Sequence, residues 1–192
     1  MQLRYNVAAS LDGYIAPPDE STSWIVDDPT IDFGTLYASF DVFIMGRKTY
    51  EIITSDPEAN PLKGRSKESV VVVSRTLNPS DHPGVTIMRQ GYISHIRELK
   101  KRDGQMWVMG GGWLATECLE AGLLDGVDVA MMPVVLGSGF RLIAESGRSV
   151  GTVYKLVLRN IEKLDSGILM TEYDVVYDEE QAHAASDDET AK

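Results

Sequence analysis

Short apolar runs alternate with amphipathic stretches along most of the chain, and this pattern predicts strands that take turns with helices. Strands are predicted over residues 3–9, 41–46, 69–74, 85–88, 105–109 and 127–135. Helices are predicted over 31–39 and 92–102, and two more open directly after the strands that end near Gly46 and Met109. The apolar run of 41–46 is typical of a sheet that is covered on both faces.

The last part of the chain has the pattern of a hairpin. Two predicted strands, over 154–164 and 168–177, are separated by Asp165-Ser166-Gly167, which is a turn signal. Pro133 interrupts the strand predicted over 127–135, which implies a sheet edge or a bulge there. Strand–helix alternation followed by a hairpin predicts one α/β domain, with a mostly parallel sheet and an antiparallel C-terminal hairpin.

Several carboxylates lie where helices and turns are predicted to begin. Thr30 is the predicted N-cap of the first helix, and Asp27, Asp28 and Asp32 cluster beside it, where the helix dipole favours negative charge. Capping explains all three, although a buried member of the trio could help to protonate a substrate. Asp12, in the turn after the first strand, could bond its own backbone or orient a loop over a ligand.

The composition narrows the function classes. The 192 residues carry a net charge of −11, which argues against nucleic acid or an anionic membrane as the main partner. Residues 178–192 form an acidic segment without apolar periodicity, so we expect a disordered tail after a domain over 1–177. No apolar run approaches the ~20 residues of a membrane span, and the single Cys118 fits a reducing compartment. A soluble, cytoplasmic protein is expected.

Three strand ends carry groups that can bind anions. Gly110-Gly111-Gly112 either allows the backbone to approach a diphosphate closely or makes a tight turn without a ligand. The three glycines do not match the G-x-G-x-x-G spacing of a dinucleotide-binding Rossmann turn. Arg47 and Lys48 at a helix start oppose the helix dipole, which favours an anion there over a solvated basic turn. Arg75, after the strand over 69–74, could bind a phosphate monoester or extend into water.

In this order along the chain, these segments resemble the dihydrofolate-reductase-like superfamily, and most of all its branch of RibD C-terminal (riboflavin biosynthesis reductase) domains. The resemblance runs from about Met1 to Tyr177. It is carried by residues 9–16 (ASLDGYIA), 45–51 (MGRKTYE), 73–75 (VSR), 108–112 (VMGGG) and 133–139 (PVVLGSG). It implies a three-layer sandwich with helices on both faces of the central sheet.

The resemblance also implies an NADPH-dependent reductase. The family's cofactor-binding positions match the following residues: Gly46, Arg47, Lys48 and Thr49 at the phosphates; Ser74 and Arg75 near the adenosine 2′-phosphate; Gly110, Gly111, Gly112, Trp113 and Leu114 at the pyrophosphate and nicotinamide; and Ala9 and Ile15 beside the nicotinamide. The family's chemistry is hydride transfer to a C=N bond of a small heterocycle, such as a pterin or a ribosylaminopyrimidine.

The resemblance also guides the choice of the remaining candidates, except Asp12, which is chosen for its place in the turn after the first strand. Asp32 is the nearest counterpart of the carboxylate that classical dihydrofolate reductases place on the first helix, and Asp12 is the second candidate catalytic carboxylate. Arg141 is the candidate for a substrate phosphate, no metal site is expected, and the terminal strands could form a homodimer. The alternatives are a nucleotide-binding or dimeric sensor protein without catalysis, and a structural dimerisation domain.

Overall fold

The computed structural model describes residues 1–147, 151–178 and 181, so most of the predicted acidic tail lies outside the described residues. Among the described residues the strands are β1 (Gln2–Ser10), β2 (Tyr14–Ala16), β3 (Val42–Gly46), β4 (Val70–Val73), β5 (Thr86–Met88), β6 (Gln105–Gly110), β7 (Gly126–Met132), β8 (Phe140–Arg141), β9 (Lys155–Lys163) and β10 (Leu169–Val176). The helices are α1 (Phe33–Ala38), α2 (Arg47–Ile53), α3 (Tyr92–Lys100) and α4 (Gly112–Glu120), with 3-10 turns at Lys67–Ser69 and Pro79–Asp81. None of these helices is long and apolar enough to cross a membrane.

The core of the fold is an eight-stranded sheet in the order β5-β4-β3-β6-β1-β7-β10-β9. Every pair from β5 to β7 is parallel, and β10 is antiparallel to both of its neighbours. This confirms the predicted mostly parallel sheet with an antiparallel C-terminal hairpin. The parallel strands carry continuous apolar runs because both faces of the sheet are covered.

Successive side chains of a central strand pack into two separate apolar clusters, one on each face of the sheet. In β3, Val42 and Ile44 join the cluster that contains residues of α3 and α4, whereas Phe43 and Met45 join the cluster beneath α1 and α2. The second cluster is rich in aromatic rings that touch one another, namely Tyr37, Phe40, Phe43 and Trp107. Helices therefore lie on both faces, and the predicted three-layer α/β sandwich is confirmed.

The first helix begins later than predicted. Its N-cap is Asp32, whose carboxylate accepts from the backbone N–H of Thr35, so the assignment of Thr30 as the cap is wrong. The reason is local: Asp28 is buried and accepts from both the backbone N–H (2.9 Å) and the hydroxyl (2.5 Å) of Thr30. This Asx turn uses the Thr30 side chain before the helix starts.

The prediction for Pro133 is also wrong. Strand β7 ends at Met132 and pairs with β1 on one side and β10 on the other, so it is neither an edge strand nor bulged at Pro133. Pro133 lies just after the strand leaves the sheet, where no ladder hydrogen bond is needed from its nitrogen. The sequence pattern also missed a separate two-stranded sheet in which β2 pairs with β8.

The aromatic cluster should make a measurable contribution to stability. Phe43 is fully buried, whereas Phe33 at the start of α1 is 55% exposed. We predict that Phe43→Ala lowers the free energy of unfolding by about 3–5 kcal/mol, because it removes buried apolar surface and leaves a cavity. The matched change Phe33→Ala should cost less than about 1 kcal/mol. Urea unfolding of both variants measures the difference, and equal losses would contradict the assigned burial.

Candidate functional site

The predicted binding segments meet at one edge of the sheet, at the carboxyl ends of the parallel strands. Gly46 at the end of β3 is in register with Val73 of β4, and its neighbour Met45 pairs with Gly110 of β6. On the other side of β6, β1 ends at Ser10, which is paired with Met132 of β7. Open α/β sheets bind ligands outside the carboxyl ends of their strands, so this edge is the candidate site.

The glycine turn brings three other segments into contact. Gly110 has a φ of +139°, a region that favours glycine, and a methyl group on it would lie 3.0 Å from the hydroxyl oxygen of Thr49. A methyl group on Gly111 would lie 3.9 Å from Cδ1 of Ile15, and one on Gly112 would lie 2.1 Å from the carbonyl oxygen of Arg141. Residues of helix α2, strand β2 and strand β8 therefore all lie against this turn.

The two cations at the start of α2 are each held by a carboxylate. The Arg47 guanidinium donates to both oxygens of Glu51, one turn further along the helix, at 2.8 and 2.9 Å. The Lys48 ammonium forms an ion pair with Glu20 and lies 4.9 Å from the centre of the Phe140 ring. These internal carboxylates offset positive charge that opposes the helix dipole.

The end of β4 presents one structural and one exposed group. The buried Ser74 hydroxyl accepts from the backbone N–H groups of Thr76 (3.2 Å) and Leu77 (3.0 Å), so it holds the turn together. Arg75 is exposed, and the described residues include no ion-pair partner for its guanidinium.

Arg89 is a second exposed cation at this edge, and it was not predicted from the sequence. The backbone N–H of Ser74 donates to the carbonyl of Met88 at 2.9 Å. Arg75 directly follows Ser74, and Arg89 directly follows Met88. Within the described parts of the chain, the Arg89 side chain forms no ion pair. The signal was present, because the predicted strand over 85–88 ends directly before a cation, as the strand before Arg75 does.

The other predicted cofactor residues divide into core and surface positions. Ala9 and Leu114 pack into the core, so only their backbone atoms can face a ligand. Trp113, in the first turn of α4, is 55% exposed. Further exposed apolar side chains lie in the loops and strand around this edge, namely Leu11, Val135 and Phe140. The candidate site thus combines cations on one side with an apolar rim on the other.

Asp12 ties two loops together. Its carboxylate accepts from the Ser10 hydroxyl (2.6 Å) and from the backbone N–H groups of Leu136 (3.0 Å) and Gly137 (2.7 Å). These hydrogen bonds lower the pKa of Asp12 to about 2, and the bond from Ser10 has the largest effect. A carboxylate stabilised in its charged form is a poor proton donor, so the geometry favours the loop-orienting role over the catalytic one.

Asp32 is engaged in a similar way. Its two oxygens accept from the backbone N–H (3.0 Å) and the hydroxyl (2.6 Å) of Thr35. Both hydrogen bonds lower the pKa of Asp32, and the bond from the hydroxyl has the larger effect. The side chain caps α1, and the direction of the pKa shift is opposite to that needed for proton donation. The catalytic role of Asp32 stays a prediction to which the geometry lends no support.

Arg141 belongs to the small sheet that closes the glycine turn. Its guanidinium lies 4.8 Å from the centre of the Tyr14 ring, and its backbone carbonyl lies against Gly112. Its side chain is therefore next to the site, and its role towards a substrate stays a prediction. Among the described residues, no group of three or more His, Cys, Asp or Glu side chains could hold a metal ion.

Comparison with known proteins identifies the family. The model of the RibD C-terminal domain matches residues 1–170, and the chain belongs to this family. The resemblance read from the sequence is therefore confirmed. A curated relative, the uncharacterized protein YyaP of Bacillus subtilis (strain 168), is 27% identical over 177 residues, which cover 88% of this chain and 92% of YyaP.

Solved structures share the fold. A candidate riboflavin biosynthesis protein from Shewanella sp. PV-4 has a TM-score of 0.74 at 22% identity and covers 92% of this chain and 100% of its own. Dihydrofolate reductase from Enterococcus faecalis, in a complex with NADP(H), has a TM-score of 0.60 at 16% identity and covers 91% of this chain and 94% of its own. The family and the fold are those of reductases.

The loop contact of Asp12 should depend on pH. Because folding lowers its pKa from 3.8 to about 2, its contribution to stability is present above about pH 4 and is lost as the pH falls towards 2. We predict that the wild type is more stable to urea than Asp12→Asn at pH 6, and that this difference shrinks between about pH 4 and pH 2. A difference that is constant over that range would show that the charged form of Asp12 has no special role.

Proposed function

We propose that this protein is an NADPH-dependent reductase that transfers hydride to a C=N bond, or a similar bond, of a small heterocycle such as a pterin or a ribosylaminopyrimidine. One observation carries the proposal: the glycine turn, the start of α2 and the small sheet β2–β8 meet at the carboxyl edge of the sheet, and the Arg141 carbonyl leaves no room for a side chain on Gly112. The family and fold supply the reductase class.

The residues at this edge fit the phosphates of a dinucleotide. Helices α2 and α4 begin after Gly46 and Gly111, and neither glycine provides a side-chain cap. Backbone N–H groups at uncapped helix starts favour an anion, and Lys48 adds a positive charge beside them. We assign Gly46, Arg47, Lys48 and Thr49 to the pyrophosphate side, facing the glycine turn.

The choice of NADPH over NADH rests on Arg75 and Arg89. Both are exposed, and they follow the hydrogen-bonded residues Ser74 and Met88 at adjacent strand ends. Two guanidinium groups can hold a phosphate monoester through charge-assisted hydrogen bonds. We assign them to the 2′-phosphate, which NADH lacks.

The apolar rim suits the reacting end of the site. When bound, NADPH would supply the hydride, and the chain's own work is to orient the reacting groups and exclude water. Ile15 beside Gly111, with the exposed Trp113 and Leu11, gives an apolar surface for a flat ring. We keep Arg141 as the candidate contact for an anionic group on the substrate.

Titration with NADPH and NADH tests this assignment. We expect NADPH to bind more tightly than NADH, and Arg75→Gln or Arg89→Gln to weaken NADPH by roughly tenfold or more, because each removes a charge-assisted hydrogen bond of about 1.5–3 kcal/mol. Binding of NADH should barely change in either variant. Arg102→Gln, the same charge change just after α3 at the opposite edge, is the control. Equal affinity of the wild type for both cofactors would remove the role of the two arginines.

A second function is favoured by one specific observation. Both candidate catalytic carboxylates, Asp12 and Asp32, are occupied as hydrogen-bond acceptors with a lowered pKa. A non-catalytic nucleotide-binding or sensor protein needs no proton donor. Such a protein would bind NADPH without oxidising it in the presence of dihydropterins, flavins or ribosylaminopyrimidines, whereas a reductase with a water-derived proton would turn over one of them.

We also propose a homodimer formed through the C-terminal hairpin. Strand β9 is exposed along its whole length at the edge of the sheet. Leu156, Leu158 and Ile161 face the same side of the sheet, because they pair with alternate residues of β10, and all three are exposed. An exposed apolar edge strand of this kind is normally covered by a partner.

The dimer is testable with two neighbouring residues on opposite faces. Leu158 lies on the apolar face, and Val157, which pairs with Asp174, lies on the other. We predict a dimer in sedimentation, conversion to monomer by Leu158→Asp, and an unchanged dimer in Val157→Asp, because only the first change places a charge in the interface. A monomeric wild type, or equal effects of both changes, would contradict this interface.

We place the protein in the cytoplasm, without a nucleic-acid or membrane partner. A cytoplasmic location suits an NADPH-dependent enzyme, and the single Cys118 is buried and needs no oxidising compartment. The net charge of −11 disfavours binding to nucleic acid or to an anionic membrane surface.

A further inference from the structure

The loop after β2 carries an unusual residue at its end. A turn over residues 17–20 is closed by the backbone N–H of Glu20, which donates to the carbonyl of Pro17 at 3.0 Å. Glu20 has a φ of +61°, and it is the one non-glycine residue with a positive φ in the part of the chain that the structure describes. Such a conformation is unfavourable for a residue with a side chain, so another interaction has to hold Glu20 in place.

That interaction is the ion pair with Lys48. The partner lies 28 positions further along the chain, on the first turn of α2, so the pair joins two separate segments. The neighbouring Arg47 differs, because its partner Glu51 is on the same helix. The Lys48 side chain is 52% exposed and that of Glu20 is 35% exposed, so solvent and solutes reach both groups.

We propose that Glu20 is an internal anion that occupies Lys48 until a phosphate of the cofactor displaces it. This inference rests on the proposed cofactor site. A carboxylate and a phosphate at one ammonium repel each other, and the pyrophosphate, which carries two negative charges over its two phosphates, is the stronger partner. Displacement also frees Glu20 from its positive φ, so the loop over 17–20 is released when the phosphate binds. The carboxylate therefore weakens cofactor binding.

The released loop is joined to the reacting end of the site. It follows β2 directly, and β2 carries Ile15, whose side chain lies next to Gly111. The carbonyl of Ala16 at the end of β2 packs against Gly139, where a methyl group would lie only 2.0 Å from it. Phosphate binding at Lys48 is thereby coupled to the segment beside the nicotinamide position.

Glu20→Gln tests the competition, because it removes the charge and keeps the shape. The measurement is calorimetry on the full-length protein. NADPH, 2′,5′-ADP and inorganic pyrophosphate are titrated as three separate probes. NADPH should bind roughly threefold to tenfold more tightly to Glu20→Gln than to the wild type. Glu58→Gln, which removes the exposed ion pair of Glu58 with Lys63, is the matched control and should leave affinity unchanged.

Two further results separate the outcomes. In a Lys48→Gln background, Glu20→Gln should have no effect, since the competition acts through Lys48. Without any ligand, amide hydrogen exchange of residues 17–22 should be faster in Glu20→Gln than in the wild type. Unchanged exchange, or NADPH binding that is equal or weaker in the variant, overturns the proposal. Failure of the wild type to bind NADPH, with faster exchange in the variant, removes the cofactor assignment and leaves the ion pair as a loop anchor only.

Discussion

Atoms from three other parts of the chain lie against Gly110, Gly111 and Gly112, so that a side chain is excluded at Gly112 and crowded at Gly110. The carbonyl of Arg141 packs against Gly112, Thr49 of α2 lies beside Gly110, and Ile15 reaches Gly111. Because β6 is a central strand, this contact fixes the small sheet and the start of α2 relative to the main sheet. The same absence of side chains lets the backbone approach a phosphate, so one constraint serves both folding and the proposed binding.

Charge is distributed unevenly around that contact. A chain with a net charge of −11 places Arg47, Lys48, Arg75 and Arg89 at three adjacent strand ends. Carboxylates within the molecule hold the two cations of α2, while the other two guanidinium groups have no ion-pair partner among the described residues. This contrast distinguishes the proposed pyrophosphate region, where carboxylates compete for the cations, from the proposed 2′-phosphate region, where the cations face solvent. In the proposal, Lys48 exchanges Glu20 for a phosphate.

The fold was largely predictable because apolar periodicity and turn residues act locally. Long strands, α3, the C-terminal hairpin and the strand-end glycines all followed from such patterns. The errors and the unpredicted contacts arose where a side-chain hydrogen bond, short-range or long-range, or a very short strand leaves no periodic pattern. Asp28 takes the hydroxyl of Thr30, Asp12 reaches Leu136 and Gly137, and β8 has two residues, too few for any periodicity. The order of strands, and with it the pairing of Glu20 with Lys48, depends on tertiary contacts that no local pattern encodes.

A crystal structure of the protein grown with saturating NADPH is the measurement that decides most, because it locates the cofactor. We expect the dinucleotide along the carboxyl edge, with its pyrophosphate at Lys48 and Thr49, its 2′-phosphate between Arg75 and Arg89, and its nicotinamide beside Gly111 and Ile15. We also expect Glu20 to be turned away from Lys48. Cofactor bound at any other place, or no bound cofactor at saturation, would contradict the proposed cofactor site.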